Sequence, residues 1–209
     1  MLQETNLILF LTASLALIVA PGPDNILVLT RGVAQGRGAA LVSAAGASVG
    51  LVVHSVFAAV GLSALLQQSA TAYSAVKYAG AAYLIYLGIK ALLDRESFAV
   101  TGETAPARLG SVFIQAVASN VLNPKVALFF LAFLPQFADP AAGGAALQLL
   151  VLGLTFALLT WMIFSVLGYF SGSLGDWLVS RPNLANGLRW LTGGLLIGLG
   201  LRLALPDRR

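Results

Sequence analysis

The sequence predicts an all-α polytopic membrane protein in which six transmembrane helices form two inverted repeats of three helices each. Three observations predict this fold. Hydrophobic residues make up 58% of the chain and charged residues only 10%, whereas a soluble domain carries about 25% charged residues. The apolar residues fall into runs long enough to cross a bilayer, which takes about 20 residues per helix. Proline interrupts the first and the fourth of these runs.

Six apolar runs follow one another along the chain. They are Leu7–Thr30, Ala39–Leu66, Ala72–Leu93, Gly110–Leu134, Leu147–Phe170 and Leu188–Leu205. The longest polar segment between runs, residues 94–108, separates the third run from the fourth. We therefore expect a single transmembrane domain over residues 1–209, with a first repeat at about 1–93, a polar linker at 94–108 and a second repeat at about 109–209.

Several classes of site and partner are not expected from the composition. The chain has no cysteine and one histidine, so we expect no disulfide, no metal site and no cofactor. Its net charge of +4 comes from basic residues at the edges of apolar runs. Such residues anchor helix ends at the membrane surface, so lipid rather than nucleic acid is the expected partner. The first residues contain no basic region, which favours a retained first span over a cleaved signal peptide.

The first interruption is formed by Pro21, Gly22 and Pro23, which are followed at once by Asp24 and Asn25. Proline lacks the amide hydrogen that a helix needs and its ring clashes one turn back. In lipid, freed backbone groups and a charge are tolerated only where protein or a water-filled cavity receives them. The carboxylate of Asp24 has two interpretations: it caps the half-helix that follows, or it binds the ammonium group of a substrate. Asn25 carries the same ambiguity.

The second interruption is Asn123-Pro124-Lys125 in the fourth run, with Asn120 and Gln115 on the approach to it. Pro124 breaks this helix for the same reason as the prolines of the first run. Lys125 also has two interpretations. Its long side chain could extend to the membrane interface, or it could lie buried with a carboxylate that limits the cost of its charge.

The two interruptions together suggest a binding site. If Lys125 lies across from Asp24, an amino acid could exchange with that pair, its carboxylate binding the lysine and its ammonium group the aspartate. Asn25, Asn120 and Asn123 would then be further substrate-binding residues.

His54 is the single histidine of the chain and lies in the second apolar run. Its side chain can change charge near neutral pH, so His54 and Asp24 are candidates for coupling transport to protons. A histidine that simply hydrogen-bonds a neighbouring helix is an equally good interpretation of the residue.

The two halves of the chain share short segments. Residues 84–90 (Leu-Ile-Tyr-Leu-Gly-Ile-Lys) and residues 196–202 (Leu-Ile-Gly-Leu-Gly-Leu-Arg) lie 112 positions apart and match at four of seven positions. Pro23 and Pro124, which open the two half-helices, lie 101 positions apart. Three spans per repeat force the two copies into opposite orientations. Inverted repeats with a midplane site between broken helices are typical of secondary transporters.

Charge and glycine placement add two weaker predictions. Arginine and lysine number seven on the side that follows spans one, three and five, against four on the other side, which predicts that both termini lie outside the cytoplasm. Small-xxx-small spacing occurs at Gly46/Gly50 and at Gly194/Gly198, among others. Such faces let helices approach closely, mostly within one chain, although a homodimer is also compatible with them.

At these residues the sequence resembles the lysine exporter (LysE/RhtB) family of bacterial amino-acid efflux transporters. The resemblance covers most of the chain and includes both interruptions. It rests on Pro21-Gly22-Pro23-Asp24-Asn25, Gln35-Gly36-Arg37, Gly80-Ala81-Ala82-Tyr83-Leu84, Asn123-Pro124-Lys125 and Leu134-Pro135-Gln136-Phe137. It implies a multi-pass protein of the bacterial plasma (inner) membrane that exports amino acids or close derivatives. It does not fix the amino acid.

We therefore expect a secondary transporter that exports amino acids or close derivatives, with export driven by the proton gradient. One alternative is a membrane-embedded enzyme that uses Asp24 and His54 as acid and base, which needs the two groups within hydrogen-bond reach. The other is a non-transporting membrane subunit that holds a partner through its glycine faces. No sequence motif of an enzyme nucleophile or phosphate loop is present, so we do not expect an enzyme.

Overall fold

The computed structural model describes residues 4–20, 22–62, 70–93, 107–138, 143–172 and 182–205. Within these ranges the chain forms helices α1 to α8. They are α1 (Glu4–Val19), α2 (Pro23–Gln35), α3 (Arg37–Phe57), α4 (Ala70–Leu93), α5 (Leu109–Val121), α6 (Pro124–Leu128), α7 (Ala145–Tyr169) and α8 (Pro182–Ala204). A π-helical turn, Ala58–Leu62, continues α3, and the turns Phe129–Phe133 and Leu134–Phe137 continue α6. Pro21 and positions 94–106 of the predicted linker lie outside the described residues.

Both interrupted runs are bent where proline enters the helix. The stretch Leu7–Val19 of α1 meets α2 at 52°, and α5 meets the segment Pro124–Phe137 at 46°. Pro23 and Pro124 each stand in the first turn of the second helix of their pair, where a missing amide hydrogen costs nothing. We call the gap between Val19 and Pro23 the first break, and the gap between Val121 and Pro124 the second break.

The predicted number of spans is supported only in part. The helical segments Arg37–Gly61 and Ala145–Tyr169 are long and apolar enough to cross a membrane, as are the two bent pairs if each is one span. The third and sixth predicted spans coincide with α4 and α8. The apolar stretch of α8, Gly193–Ala204, is shorter than a membrane crossing. The described residues therefore establish a helical membrane protein, and the count of six stays a prediction.

Glycine sets the distances and directions between neighbouring helices. A Cβ atom built on Gly46 would lie 2.8 Å from the Cβ of Ala116, and one built on Gly50 would lie 2.7 Å from the Cβ of Asn120. Helices α3 and α5 therefore run parallel with their backbones in close approach, as small residues allow. A Cβ on Gly168 would lie 2.8 Å from the Cβ of Ala40.

A cluster of phenylalanines packs behind the second break. The ring of Phe129 stacks on Phe156 with centroids 4.8 Å apart, and it lies 5.2 Å from the ring of Phe133. These three side chains are almost fully buried. The outer face of α7, by contrast, exposes large apolar groups such as Leu158 and Trp161. An apolar exterior of this kind suits contact with lipid, so the rigid aromatic core holds the break while the exterior faces the bilayer.

Candidate functional site

The carboxylate of Asp24 is the centre of a buried hydrogen-bond network between the two breaks. Asn120 Nδ2 donates to Asp24 Oδ2 at 2.8 Å, and Asn123 Nδ2 donates to the same oxygen at 3.0 Å. Ser119 Oγ donates to Asp24 Oδ1 at 3.1 Å. Only 5% of Asp24 is exposed. Hydrogen bonds to a charged acceptor are stronger than neutral ones, so α5 and the second break hold this carboxylate firmly.

Asp24 does not cap its own half-helix. The N-cap residue of α2 is Gly22, and no side chain caps the helix there. The capping interpretation of Asp24 is therefore wrong, because its carboxylate oxygens bond to side chains of the fourth run instead. Its position in the first turn of α2 still places the negative charge near the positive end of the helix dipole.

Two backbone carbonyls at the first break accept hydrogen bonds from side chains instead of from the helix. Asn25 Nδ2 donates to the carbonyl oxygen of Ile18 at 2.7 Å, and Lys125 Nζ donates to that of Ala20 at 3.0 Å. The last carbonyls of a helix have no partner within it, and leaving one buried and unpaired costs about 1–3 kcal/mol. Asn25 and Lys125 thus have a structural role at the first break.

Lys125 neither extends to an interface nor pairs with Asp24. Both interpretations given by the sequence are corrected, since its ammonium group bonds to the Ala20 carbonyl across the first break. The reason is that Asp24 already accepts three neutral donors, whereas the broken helix offers a carbonyl that needs one. The charges of Asp24 and Lys125 therefore lie close together without a direct ion pair.

His54 contacts the Asn120 carbonyl, which loses its helical amide partner at the second break. The fourth residue after Asn120 is Pro124, which has no amide hydrogen to donate. His54 Nε2 lies 3.2 Å from the Asn120 carbonyl oxygen, which Asn123 N also approaches at 3.0 Å. Because a carbonyl only accepts, this contact requires the hydrogen on Nε2. The prediction that His54 bonds a neighbouring helix is confirmed.

Asn120 and Asn123 each connect two parts of the site. Asn123 Oδ1 accepts the Lys125 backbone amide at 3.0 Å and so caps α6, while its Nδ2 holds Asp24. Asn120 offers its carbonyl to His54 and its Nδ2 to Asp24. His54 and Asp24 therefore contact the same residue, Asn120, and not each other. An acid–base pair that requires direct contact between them is not formed.

A narrow cavity of about 20 Å³, room for roughly one water molecule, lies against both breaks. Five of its six polar lining residues, all but Thr160, are the substrate-binding residues that the sequence predicts. They are Asp24, Asn25, Asn120, Asn123 and Lys125. The rest of the lining, apart from Gly22 and Thr160, is apolar, and it includes Leu17, Ile18, Leu51, Val126, Phe156 and Phe164. A few convergent polar groups in an apolar cavity are typical of a small-molecule site.

A larger cavity of about 320 Å³ also adjoins both breaks. It shares three lining residues with the narrow cavity: Gly22, Asn123 and Lys125. Its other polar lining residues are Tyr83 and Lys90 of α4. The two cavities, which differ in size and charge, therefore adjoin each other at the breaks.

Two contacts of the site are not anticipated by the sequence. Ser119 bonds to Asp24, and Arg31, which we counted as a membrane-flanking residue, is buried and donates from Nη2 to Gln115 Oε1 at 2.7 Å. The signal is present in the spacing, because Asp24 and Arg31 are seven residues apart and so share one face of α2. Gln115 and Ser119 share one face of α5 for the same reason.

Comparison with known proteins identifies the family. Residues 15–206 match the model of the LysE type translocator family. An uncharacterized membrane protein of Vibrio cholerae is 31% identical over 195 residues, covering 93% of this chain and 94% of its own. Another from Bacillus subtilis, YrhP, is 30% identical, covering 96% and 99%. A leucine efflux protein of Enterobacter sp. is 29% identical, covering 93% of both chains.

No solved structure matches the chain. The family match nevertheless covers nearly the whole sequence, including both breaks and every residue of the site described above. It also agrees with a helical architecture whose outer faces are apolar. The chain belongs to the LysE type translocator family, whose members are transporters and not enzymes.

Proposed function

We propose that this protein is a secondary transporter that exports a neutral amino acid across the bacterial plasma membrane, with the two breaks as its binding site. One observation carries the proposal: a buried carboxylate, held only by neutral donors, lies beside a half-buried lysine where two cavities meet. A zwitterionic cargo has the two complementary charges. Its ammonium group would bind Asp24 and its carboxylate would bind Lys125.

The lining of the narrow cavity, which must widen to admit an amino acid, favours an apolar side chain on the cargo. Leu51, Phe156 and Phe164 contribute carbon surface, and no carboxylate other than Asp24 is among the lining residues. A basic or acidic side chain would meet no partner of opposite charge there, and burying an unpaired charge is costly. The leucine efflux proteins among the relatives agree with this choice, so leucine is our first test substrate.

Alternating access requires an element that can move, and we propose that the two halves are inverted repeats. A Cβ on Gly88 would meet Ile197 Cγ1 at 2.6 Å and the Gly193 carbonyl at 2.7 Å. A Cβ on Gly200 would meet Ile85 Cγ1 at 2.6 Å and the Ala81 carbonyl at 2.8 Å. These contacts are reciprocal at the 112-residue offset found between the halves, as contacts across a two-fold axis must be. They support an inverted-repeat relation between the halves, the arrangement in which one repeat can rock against the other.

The helix directions give the cavities an orientation. Because α2 and α4 end, and α5 begins, on the side that carries the excess of basic residues in the sequence, we propose that this side is cytoplasmic. Both termini would then lie outside the cytoplasm. Accessibility labelling of tags placed at either terminus in intact cells tests this orientation, and labelling only after cell lysis contradicts it.

Proton coupling is a further part of the proposal. His54 and Asp24 both form hydrogen bonds with Asn120. A change in the charge of one group can therefore alter the hydrogen bond of the other through this single residue. We expect leucine flux in vesicles to differ between vesicles with an imposed pH gradient and vesicles without one. Flux that is indifferent to the pH gradient contradicts coupling to protons while leaving export itself intact.

A homodimer is the remaining prediction about partners. Gly194 and Gly198 have no heavy atom within 4 Å of an added Cβ, so this face of α8 offers close approach to another helix. We propose it as the dimer contact if the protein dimerises. The mass of the purified protein in detergent, with and without Gly198→Leu, tests the assignment, and a monomer in both cases contradicts it.

The export proposal is tested with purified protein in vesicles and in cells. We expect vesicles loaded with labelled leucine to lose it faster when they contain the protein, and Asp24→Asn to abolish the difference. An expressing strain should resist toxic analogues of neutral amino acids but not those of basic or acidic ones. Equal efflux from empty and protein-containing vesicles, for the whole panel of amino acids, contradicts the proposal.

A further inference from the structure

The large cavity differs from the narrow one in charge as well as in size. Four of its lining residues carry polar side chains: Tyr83, Lys90, Asn123 and Lys125. Two of these are ammonium groups and one is a phenol hydroxyl, and no aspartate or glutamate is among the lining residues. The carboxylate of Asp24 belongs to the narrow cavity alone. The large cavity therefore offers hydrogen-bond donors and positive charge to whatever enters it.

The donors of α4 lie on one helix face that points into this cavity. Tyr83, Leu87 and Lys90 line it at spacings of four and three residues, which places them in a row along α4. The row leads from the breaks towards the carboxyl end of α4 at Leu93. A cation in the last turns of a helix is also favoured by the helix dipole. Lys90 thus lies near the end of α4, whereas Lys125 lies at the second break.

The two lysines differ in exposure. Lys90 is exposed, and Tyr83 is half-buried. Lys125 is half-buried and its ammonium group is engaged with the Ala20 carbonyl. An anion arriving from water would therefore meet Lys90 first, because a solvent-facing ammonium group attracts it without any bond having to break.

We propose that the large cavity is a loading site for the carboxylate group of the cargo, with Lys90 and Tyr83 as its first ligands. This inference rests on the proposed function and adds residues of α4 to the binding site. The carboxylate binds the Lys90 ammonium group and the Tyr83 hydroxyl, then passes to Lys125, which lines both cavities. The cargo ammonium group reaches Asp24 only after this transfer, since Asp24 lies in the narrow cavity.

The contact between Lys125 and Ala20 fits a part in this transfer. Lys125 Nζ lies 3.0 Å from the Ala20 carbonyl oxygen and 3.2 Å from a Cβ built on Gly22. Gly22, Asn123 and Lys125 are the residues common to both cavities. An incoming carboxylate would compete with the carbonyl for this ammonium group, and its release from the first break would open the way between the cavities.

The test measures leucine entry from the face that contains Lys90, in inside-out vesicles, for Lys90→Gln and Tyr83→Phe. We expect Lys90→Gln to raise the KM for leucine about tenfold, equivalent to about 1.4 kcal/mol, with little change in kcat. Lys90→Arg should restore the KM. Matched controls are Arg202→Gln and Tyr86→Phe, which alter an exposed cation and an exposed tyrosine that line neither cavity, and should leave the KM unchanged.

Leucinamide distinguishes a carboxylate site from a general effect on α4. It retains the ammonium group and the side chain of leucine but lacks the carboxylate. We expect leucinamide to inhibit leucine entry equally in the wild type and in Lys90→Gln. Equal inhibition together with a raised KM for leucine supports the loading site, whereas a parallel loss of leucinamide inhibition contradicts it.

The anion could also be the phosphate of a lipid headgroup, which has the same need for cationic donors. The same measurements in vesicles with and without anionic lipid separate the two sources. A KM effect that appears only with anionic lipid overturns the loading site in favour of a lipid site. Normal wild-type transport with an unchanged KM in Lys90→Gln contradicts this inference alone. Absence of leucine transport by the wild type contradicts the proposed function and this inference together.

Discussion

The first and second breaks use proline in the same way but contribute opposite chemistry. At the first break the side chain that follows proline is the carboxylate of Asp24, and at the second it is the ammonium group of Lys125. Each charge is satisfied by the other break: Asn120 and Asn123 of the second hold Asp24, and the Ala20 carbonyl of the first holds Lys125. The breaks are thus held together by cross-contacts and not by an ion pair.

This difference shows how a charge can be buried and still be available. An ion pair between Asp24 and Lys125 would have to be separated before either group bound a substrate, and separating buried charges is costly. Neutral amides and a carbonyl keep each charge in place without cancelling it. A zwitterion can therefore add to the site, although its carboxylate must compete with one backbone carbonyl.

The largest effect is expected from Asp24→Asn, which removes the charge at the first break and keeps the size of the side chain. The new amide would face donors from Asn120, Asn123 and Ser119, so bonds to a charged acceptor, each about 1.5–3 kcal/mol, are lost. We expect export to fall roughly a hundredfold, equivalent to about 2.8 kcal/mol. Efflux from loaded vesicles measures it. Near-normal export by a folded Asp24→Asn protein would show that the first break carries no essential charge.

Lys125→Met is the corresponding change at the second break and should have a smaller effect on folding than on export. Methionine fills a similar space, but the Ala20 carbonyl loses its donor, which costs about 1–3 kcal/mol. We expect thermal stability in detergent to fall modestly and leucine binding to be lost. Lys125→Arg is the matched variant and should retain part of the binding, since it keeps a donor and the charge. Full leucine binding by Lys125→Met would exclude a role for the lysine in holding the cargo.

Gly50→Ala tests whether α3 positions the second break. Its Cβ would lie 2.6 Å from Asn120 Oδ1 and 2.7 Å from Asn120 Cβ, so Asn120 must move away from Asp24. Overpacking of this kind costs about 1–3 kcal/mol. We expect lower stability and weaker leucine binding. The control is Gly38→Ala, also on α3, which has open space around its Cβ and should change neither. If the two variants behave alike, Asn120 is not held by α3.

The smallest effect on folding is expected from His54→Gln. This variant separates the structural role of His54 at the second break from its proposed role in proton coupling. Glutamine can still donate to the Asn120 carbonyl but does not titrate. We expect leucine binding to persist and the dependence of flux on the pH gradient to disappear. His54→Leu lacks any donor and should also destabilise the protein by about 0.5–1.5 kcal/mol, the net value of one hydrogen bond, because Asn123 N still donates to the carbonyl. Unaltered pH-gradient dependence in His54→Gln would remove the histidine from proton coupling.

The breaks and their residues could be predicted from the sequence because proline acts locally. Proline cannot continue a helix from its interior, so Pro23 and Pro124 each end one helix and begin another, and a charge beside a break in an apolar run is unusual enough to indicate a site. The partners could not be predicted, because they depend on which faces meet across about a hundred residues of chain. Ser119 and Arg31 were missed for this reason, although helical spacing places Arg31 on the face of Asp24.

The incorrect ion pair between Asp24 and Lys125 has the same origin. Sequence shows two opposite charges and therefore suggests that they pair. It does not show that a bent helix leaves the Ala20 carbonyl open, or that three neutral donors reach Asp24 first. The side chains at each break bond to backbone carbonyls that lack a helical partner there. Which carbonyls these are depends on the three-dimensional path of the chain.

Substrate protection of a single thiol tests the central claim most directly, because the chain contains no cysteine of its own. Thr160→Cys places a thiol in the lining of the narrow cavity, and Ser111→Cys places one on an exposed part of α5 that lines neither cavity. We predict that leucine slows the reaction of a small thiol reagent with Thr160→Cys and leaves Ser111→Cys unaffected. Equal rates with and without leucine at Thr160→Cys, in protein that still transports it, would contradict a cargo site between the two breaks.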